Sequence, residues 1–280
     1  MGFEPISWTM HGRYPSLDLF CIVELRMLTI PFFLTLVILV QQLVRGAGIH
    51  DCRDSDFPPV VFVKLRVEGA SKTIFEGCVP TFGHSITTAS GGKHRCDGTN
   101  NDVNPKPGPT CGTALNDASK IHRFDFDGTF DTQFDDYFIT SIGGDSQTAS
   151  QFWGLIFNYR LATTGACQTQ VSKGDEVLWA FDAFNVNIMH FLKLEAPSIV
   201  KAGSTVSLTV TDGKNGVPVQ GATVTRSDGS TGTVVGTSNE NGTVPIHFPD
   251  SGVFSFKASK DDSIRSNSAT IFVIPSIVDT

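Results

Sequence analysis

The chain has 280 residues, 40% of them apolar and 18% charged, with a formal net charge of −7. That much apolar material fills one large core or two modest ones, which excludes a disordered chain and a coiled coil. The acidic balance excludes a general nucleic-acid binder, which needs surplus cations to displace the counterions of a phosphate backbone.

The long apolar run is residues 27–40, MLTIPFFLTLVILV, with small residues following at Gly46, Ala47 and Gly48. The run is shorter than the roughly 20 residues a spanning helix needs. Small residues after such a stretch read as a secretory leader over 1–48, cleaved near its end. Its first 26 residues are long for a leader, so Met27 is an alternative start, and an uncleaved leader is the one membrane attachment offered. Residues 274–280 lack the apolar tail of a lipid-anchor signal. The predicted address is secreted, extracellular or cell-surface.

Removing the leader takes Cys21 and leaves Cys52, Cys78, Cys96, Cys111 and Cys167. In an oxidising compartment these pair, but five cannot pair completely, and two bridges with one leftover thiol allow fifteen connectivities. On the chain-entropy model a bridge from Cys96 to Cys111 contributes about 3 kcal/mol, and one from Cys96 to Cys167 roughly 4 kcal/mol.

After a short lead-in at 49–58, residues 60–68, VVFVKLRVE, read as a strand, and 73–79 return as its hairpin partner. Residues 89–110 read as a loop too polar to pack. Thr113 is placed to cap a helix over 114–123, with Asp117 early and Arg123 at its end. Strands are predicted at 137–142, 152–158, 176–181 and 190–194. One helix among several strands suggests a small α+β domain over 59–194.

Composition changes near Glu195-Ala196-Pro197, beyond which there is no Cys and no Trp. Strand candidates at 206–211, 222–226, 243–248, 252–259 and 269–274 are separated by Asp-Gly and Asn-Gly turns, the spacing of a β-sandwich over 195–280. Residues 49–192 carry 17 acids against 11 bases, and 193–280 carry 8 against 7, so charge-based recognition belongs to the first domain.

Asp125, Asp127, Asp131, Asp135 and Asp136 lie in FDFDGTFDTQFDDYF, whose Asp-x-Asp-Gly resembles part of a calcium loop. The central Gly is misplaced for an EF-hand, and the interleaved Phe residues read better as rings tucked inward with carboxylates in water. His84, His94, Cys96 and Cys111 lack zinc spacing. Ser146 lies in no Gly-x-Ser-x-Gly and is tied to no particular His. No metal or cofactor is expected. The sequon Asn241-Gly242-Thr243 falls in a turn and is a glycosylation candidate. Trp153 and Trp179 lie in predicted strands, where they serve either as core or, at an open sheet face, as a platform for a flat ligand or sugar ring.

The segments VEGASKTIFEG (67–77), HRCDGTNNDVNPKPGPT (94–110), FDDYFITSIGG (134–144), QFWGLIFNYR (151–160) and KGDEVLWAFDAF (173–184) resemble the transcobalamin-like C-terminal domain of secreted bacterial and fungal proteins. VKAGSTVSLTV (200–210), VPVQGATV (217–224) and GVFSFKASKDDSIRSNSA (252–269) resemble the Ig-like module that follows it there. The resemblance implies an α+β, β-grasp-like domain over 59–194, an all-β Ig-like sandwich over 195–280, and pairing of Cys96 with Cys167. In transcobalamins the related domain closes over cobalamin held by a separate helical domain, and this chain has no such domain. The Asn-Gly tip expected after the Trp153 strand is replaced by Asn158-Tyr159-Arg160.

The expected function is a secreted, non-catalytic cell-surface or cell-wall interaction protein, with a wall polysaccharide or surface protein as partner and no nucleic acid. The alternative is an extracellular carrier of a small cobalamin-like or sugar ligand, with Trp153, Tyr159 and Trp179 lining a cleft. A third reading is a metal-dependent hydrolase built on His84, His94 or the acids between Asp125 and Asp136.

Overall fold

The computed structural model describes residues 60–227 and 232–276, which belong to one compact unit, Gly48–Thr280. The leader, the lead-in and Cys52 lie outside the described residues. In the first half, β1 (Val61–Glu68) and β2 (Thr73–Thr81) form a hairpin, followed by a second one, β3 (His84–Thr88) and β4 (Gly92–Cys96). After the helix α1 (Cys111–His122) come β5 (Phe126–Asp131), β6 (Asp136–Ile142), β7 (Asp145–Ser146), β8 (Trp153–Phe157), β9 (Arg160–Leu161) and β10 (Glu176–Phe181). The second half holds β11 (His190–Glu195), β12 (Ile199–Lys201), β13 (Ser204–Asp212), β14 (Thr223–Ser227) and β15 (Thr233–Thr237). It continues with β16 (Thr243–Phe248), β17 (Gly252–Ser259), β18 (Ser263–Ile264) and β19 (Ala269–Ile274).

Nineteen strands in five sheets against one 12-residue helix make the described chain nearly all-β. This overturns the expected α+β, β-grasp-like first domain. The sequence reading lacks β3, β4, β5 and the two-residue β7 and β9 in the first half, and β12, β15 and β18 in the second. Residues 89–110 read as polar loop, yet β4 pairs with β3, and the acidic segment forms β5 paired to β6. These hairpins add two small antiparallel sheets beside the main one.

The main sheet has the order β2-β1-β10-β8-β9, with β1 and β10 parallel at its centre. Strand alternation gives it two buried faces. Val63, Leu65, Val67, Val177, Trp179, Trp153 and Leu155 pack in one core with Leu115 and Ala118 of α1. Ile156, Leu178 and Ala180 point the other way and pack on Phe191 and Ile264 of the second half.

The second half is a two-sheet sandwich, β16-β13-β11-β18 against β12-β19-β17-β14-β15, closed over Leu192, Leu194, Leu208, Val210, Phe256 and Ile271. β11 was expected as the last strand of the first domain. It pairs instead with β13 and β18, because Leu192 and Leu194 belong to the sandwich core while Phe191 faces the main sheet.

α1 begins one turn earlier than the sequence suggested. Thr110 is the N-cap, accepting from the Thr113 backbone, and the Thr113 hydroxyl accepts from the Thr110 N–H at 2.9 Å, a reciprocal capping box. Arg123 closes the helix in a left-handed conformation with φ 57°. Gly112 lies against the disulfide between Cys96 and Cys167, where a Cβ would fall 2.7 Å from Cys96 Sγ and 3.2 Å from Cys167 Sγ. Cys78 is also disulfide-bonded, and Cys111 is a buried free thiol.

The two halves are locked by buried charge. Glu68, 2% exposed, accepts from Lys257 Nζ at 2.7 Å, Arg265 Nε at 2.8 Å and Thr73 Oγ1 at 3.0 Å. Glu76 takes Lys257 Nζ at 2.9 Å, with the Ser268 N–H at 2.6 Å and its hydroxyl at 2.9 Å.

Gly112→Ala gains about 1 kcal/mol of helix propensity but overpacks the disulfide, and a net loss of about 1–2 kcal/mol in urea unfolding is expected. The penalty should shrink when Cys96 and Cys167 are both Ala. Glu68→Ala leaves Arg265 without a carboxylate among the described residues and Lys257 with Glu76 alone, and a loss of roughly 3–5 kcal/mol is expected by the same measurement.

Candidate functional site

The turn between β5 and β6 is built by Asp131, whose Oδ1 accepts from the Gln133 N–H at 2.8 Å and the Phe134 N–H at 3.3 Å. Asp135 follows in a left-handed conformation, φ 49°. Side-chain amides fix the tip from both flanks. Gln168 Nε2 donates to Phe134 O at 2.6 Å, and Asn100 Nδ2 donates to Asp135 O at 2.9 Å. The result holds the Phe134 ring outward, 59% exposed.

Along β6 the alternation puts Tyr137 and Ile139 inward and Phe138 outward, 46% exposed. Phe184, in the turn after β10, is 57% exposed and lies against Gly154, where a Cβ would come 3.3 Å from its ring. Phe134, Phe138 and Phe184 share one groove of about 890 Å³, whose polar lining includes Asn101, Thr129, Asp131, Thr163, Thr164 and Gln168.

Asp136 stands at the floor of this groove, 5% exposed. Its carboxylate accepts from the Tyr137 N–H at 2.7 Å and the Cys167 N–H at 2.9 Å. A Cβ on Gly165 would collide with it, so glycine there lets the 162–165 loop close over the acid. Burial pushes the Asp136 carboxyl up to about 6, against the lowering by its backbone donors. The segment thus departs from the reading of rings inward and acids in water. Phe124, Phe126 and Phe130 do pack on the core, but Phe134 faces solvent and Asp136 is buried.

The residues expected to line a ligand cleft are not brought together. Trp153 and Trp179 are each 4% exposed, in the core beneath α1. Trp153 Nε1 donates to Asp145 O at 3.1 Å, while Trp179 Nε1 is buried without a partner. Tyr159 lies on the opposite face of the sheet, packed at the seam. Neither Trp is a platform, because strand alternation turns both toward the helix.

His84 Nε2 lies 2.9 Å from Asp117 Oδ1, a contact that raises the imidazole's affinity for a proton. His94 stacks on Phe130 at 3.5 Å, and its Nε2 is 2.9 Å from Gly91 O. Asp127 is held low by the Ser90 hydroxyl and N–H, which tie the β3–β4 turn to β5. Among the described residues no three His, Cys, Asp or Glu side chains are grouped to hold a metal ion. Asn241 is exposed in the turn before β16.

The outward Phe residues escaped the sequence reading. The available signals were Phe134 inside an Asp-flanked turn and Phe138 one step out of phase with Tyr137 and Ile139.

Residues 113–183, from the first turn of α1 to the turn after β10, match the family model described as a domain of unknown function, DUF4430, which is related to transcobalamin-like domains. A search of curated proteins finds no match.

Because burial raises the folded Asp136 carboxyl to about 6, above an unfolded one near 3.8, the native state between these values holds a proton that the unfolded state has released. The associated stability is complete below pH 4 and lost as pH rises through about 6, up to about 3 kcal/mol. Urea unfolding between pH 4 and 6.5 should show this decline, and Asp136→Asn should flatten it.

Proposed function

We propose that the protein is a secreted, non-catalytic cell-wall or cell-surface interaction protein, whose first half binds polysaccharide in the Phe134–Phe138–Phe184 groove. The observation that carries this reading is three rings held open to solvent in one groove, each about half exposed. Covering a Phe gains about 1.5–3 kcal/mol, so a rigid cluster left uncovered marks a surface built for contact. A pyranose has an apolar C–H face that lies on an aromatic ring and a rim of hydroxyls that seeks hydrogen bonds. The Thr129, Thr163 and Thr164 hydroxyls and the Asp131 carboxylate in the groove supply that second chemistry.

The apolar run at 27–40 and the disulfides favour export to an oxidising compartment. The sandwich of the second half fits an Ig-like module serving as spacer or second adhesion surface. Asn241, exposed in that sandwich, fits a glycosylated site.

Co-sedimentation of the purified protein with insoluble β-glucan, chitin, cellulose and peptidoglycan tests the proposal. Retention on at least one wall polymer is expected, and Phe138→Ala with Phe184→Ala should weaken it at least tenfold with an unchanged urea midpoint. No retention on any polymer would overturn the reading.

A further inference from the structure

A second site lies on the face of the main sheet opposite the helix. Because Val63, Leu65 and Val67 point at α1, the alternate residues Lys64, Arg66 and Glu68 point toward the second half. The charges in the seam on that side do not balance. Arg66, Lys257 and Arg265 supply three cations, and Glu68 and Glu76 supply two carboxylates, with no further carboxylate bridging any of the three among the described residues.

Arg66 carries the surplus. Glu68 and Glu76 are occupied by Lys257, Arg265, Thr73 and Ser268. The Arg66 side chain is 8% exposed, its Nε stands 3.8 Å from Glu68 Oε1, and its Nη1 is buried with no hydrogen-bond partner. A buried guanidinium nitrogen without an acceptor is costly unless something else takes its protons.

Space for such a partner adjoins it. A cavity of about 160 Å³ is lined by Arg66, Glu76, Ile156, Leu178, Tyr159 and Asn267, with the exposed Lys64 paired to Glu176 at 3.3 Å in its wall. Tyr159 reaches it from a strained turn. Asn158 and Tyr159 have φ of 48° and 61°, a pair of left-handed positions where Asn-Gly is the unstrained choice. A bulky residue there makes sense if its ring is needed in the seam, a pattern common at binding sites.

We propose that this cavity binds a small monocarboxylate, with the Arg66 guanidinium taking the carboxylate and Ile156, Leu178 and the Tyr159 ring taking its apolar body. One negative charge neutralises the surplus. A planar guanidinium fits the two oxygens of a carboxylate, and a cavity of this volume admits a body up to the size of benzene.

The test is calorimetric titration of the full chain with sodium propionate and sodium benzoate at fixed ionic strength, beside chloride, phosphate and uncharged benzyl alcohol. Saturable 1:1 binding of a carboxylate is expected, with a shift of the Arg66 Nε–H resonance on titration. Arg66→Gln should weaken that binding at least tenfold. Equal binding of chloride or phosphate would overturn the carboxylate assignment. So would absence of saturable carboxylate binding, or an unmoved Arg66 resonance, which is read on the unaltered protein and needs no variant to fold.

Discussion

The carboxylate of Glu68 is the constraint on which the two halves depend. It sits at the end of β1, the strand that joins β2 to β10, and it is turned away from the helix by the same alternation that sends Val67 inward. From there it gathers Lys257 and Arg265, residues nearly 200 positions later. Neither cation has a comparable anchor within its own sheet, so a desolvated carboxylate specifies how the sandwich meets the main sheet, while Ile156, Leu178, Phe191 and Ile264 supply the apolar contact.

A sheet buried on both faces leaves few places for recognition. What remains open is its periphery, and there the chain places the β5–β6 turn, held by Gln168 and Asn100. Cys167 donates its N–H to Asp136 while its sulfur is bonded to Cys96. The groove floor, the loop beside it and the β4 hairpin are therefore one mechanical piece. The Phe rings stand on a base that loses little freedom when covered, which favours binding without reorganisation.

The sequence was legible wherever burial was one-sided or continuous. β1, β10, β13 and β17 were readable because Val63–Leu65–Val67 and Leu208–Val210 alternate or run apolar against clear turns. α1 was legible from the Thr113 cap, the early Asp117 and the terminal Arg123, and its start moves to Thr110 because both threonines are competent caps and only geometry shows that they act together. The hairpin of β3 and β4 was hidden because its residues are mostly polar and its pairing is satisfied by backbone alone. Trp153 and Trp179 were undecided because either face of a doubly covered strand accepts an indole. The groove was least legible, since exposure of Phe134 depends on Gln168 and Asn100, residues 34 positions away on either side.

The free thiol of Cys111 bears on how the molecule matures. In the unfolded chain Cys111 is 15 residues from Cys96, whereas Cys167 is 71 away. Loop closure alone favours the shorter, incorrect crosslink by about 1 kcal/mol. Once α1 has formed, Cys111 is sealed in the core and desolvation raises its thiol's pKa well above the usual value, so little nucleophilic thiolate remains. Correct oxidation is thus a race in which helix docking must outrun the nearer partner, and isomerase-catalysed disulfide exchange suits this chain better than rapid uncatalysed oxidation.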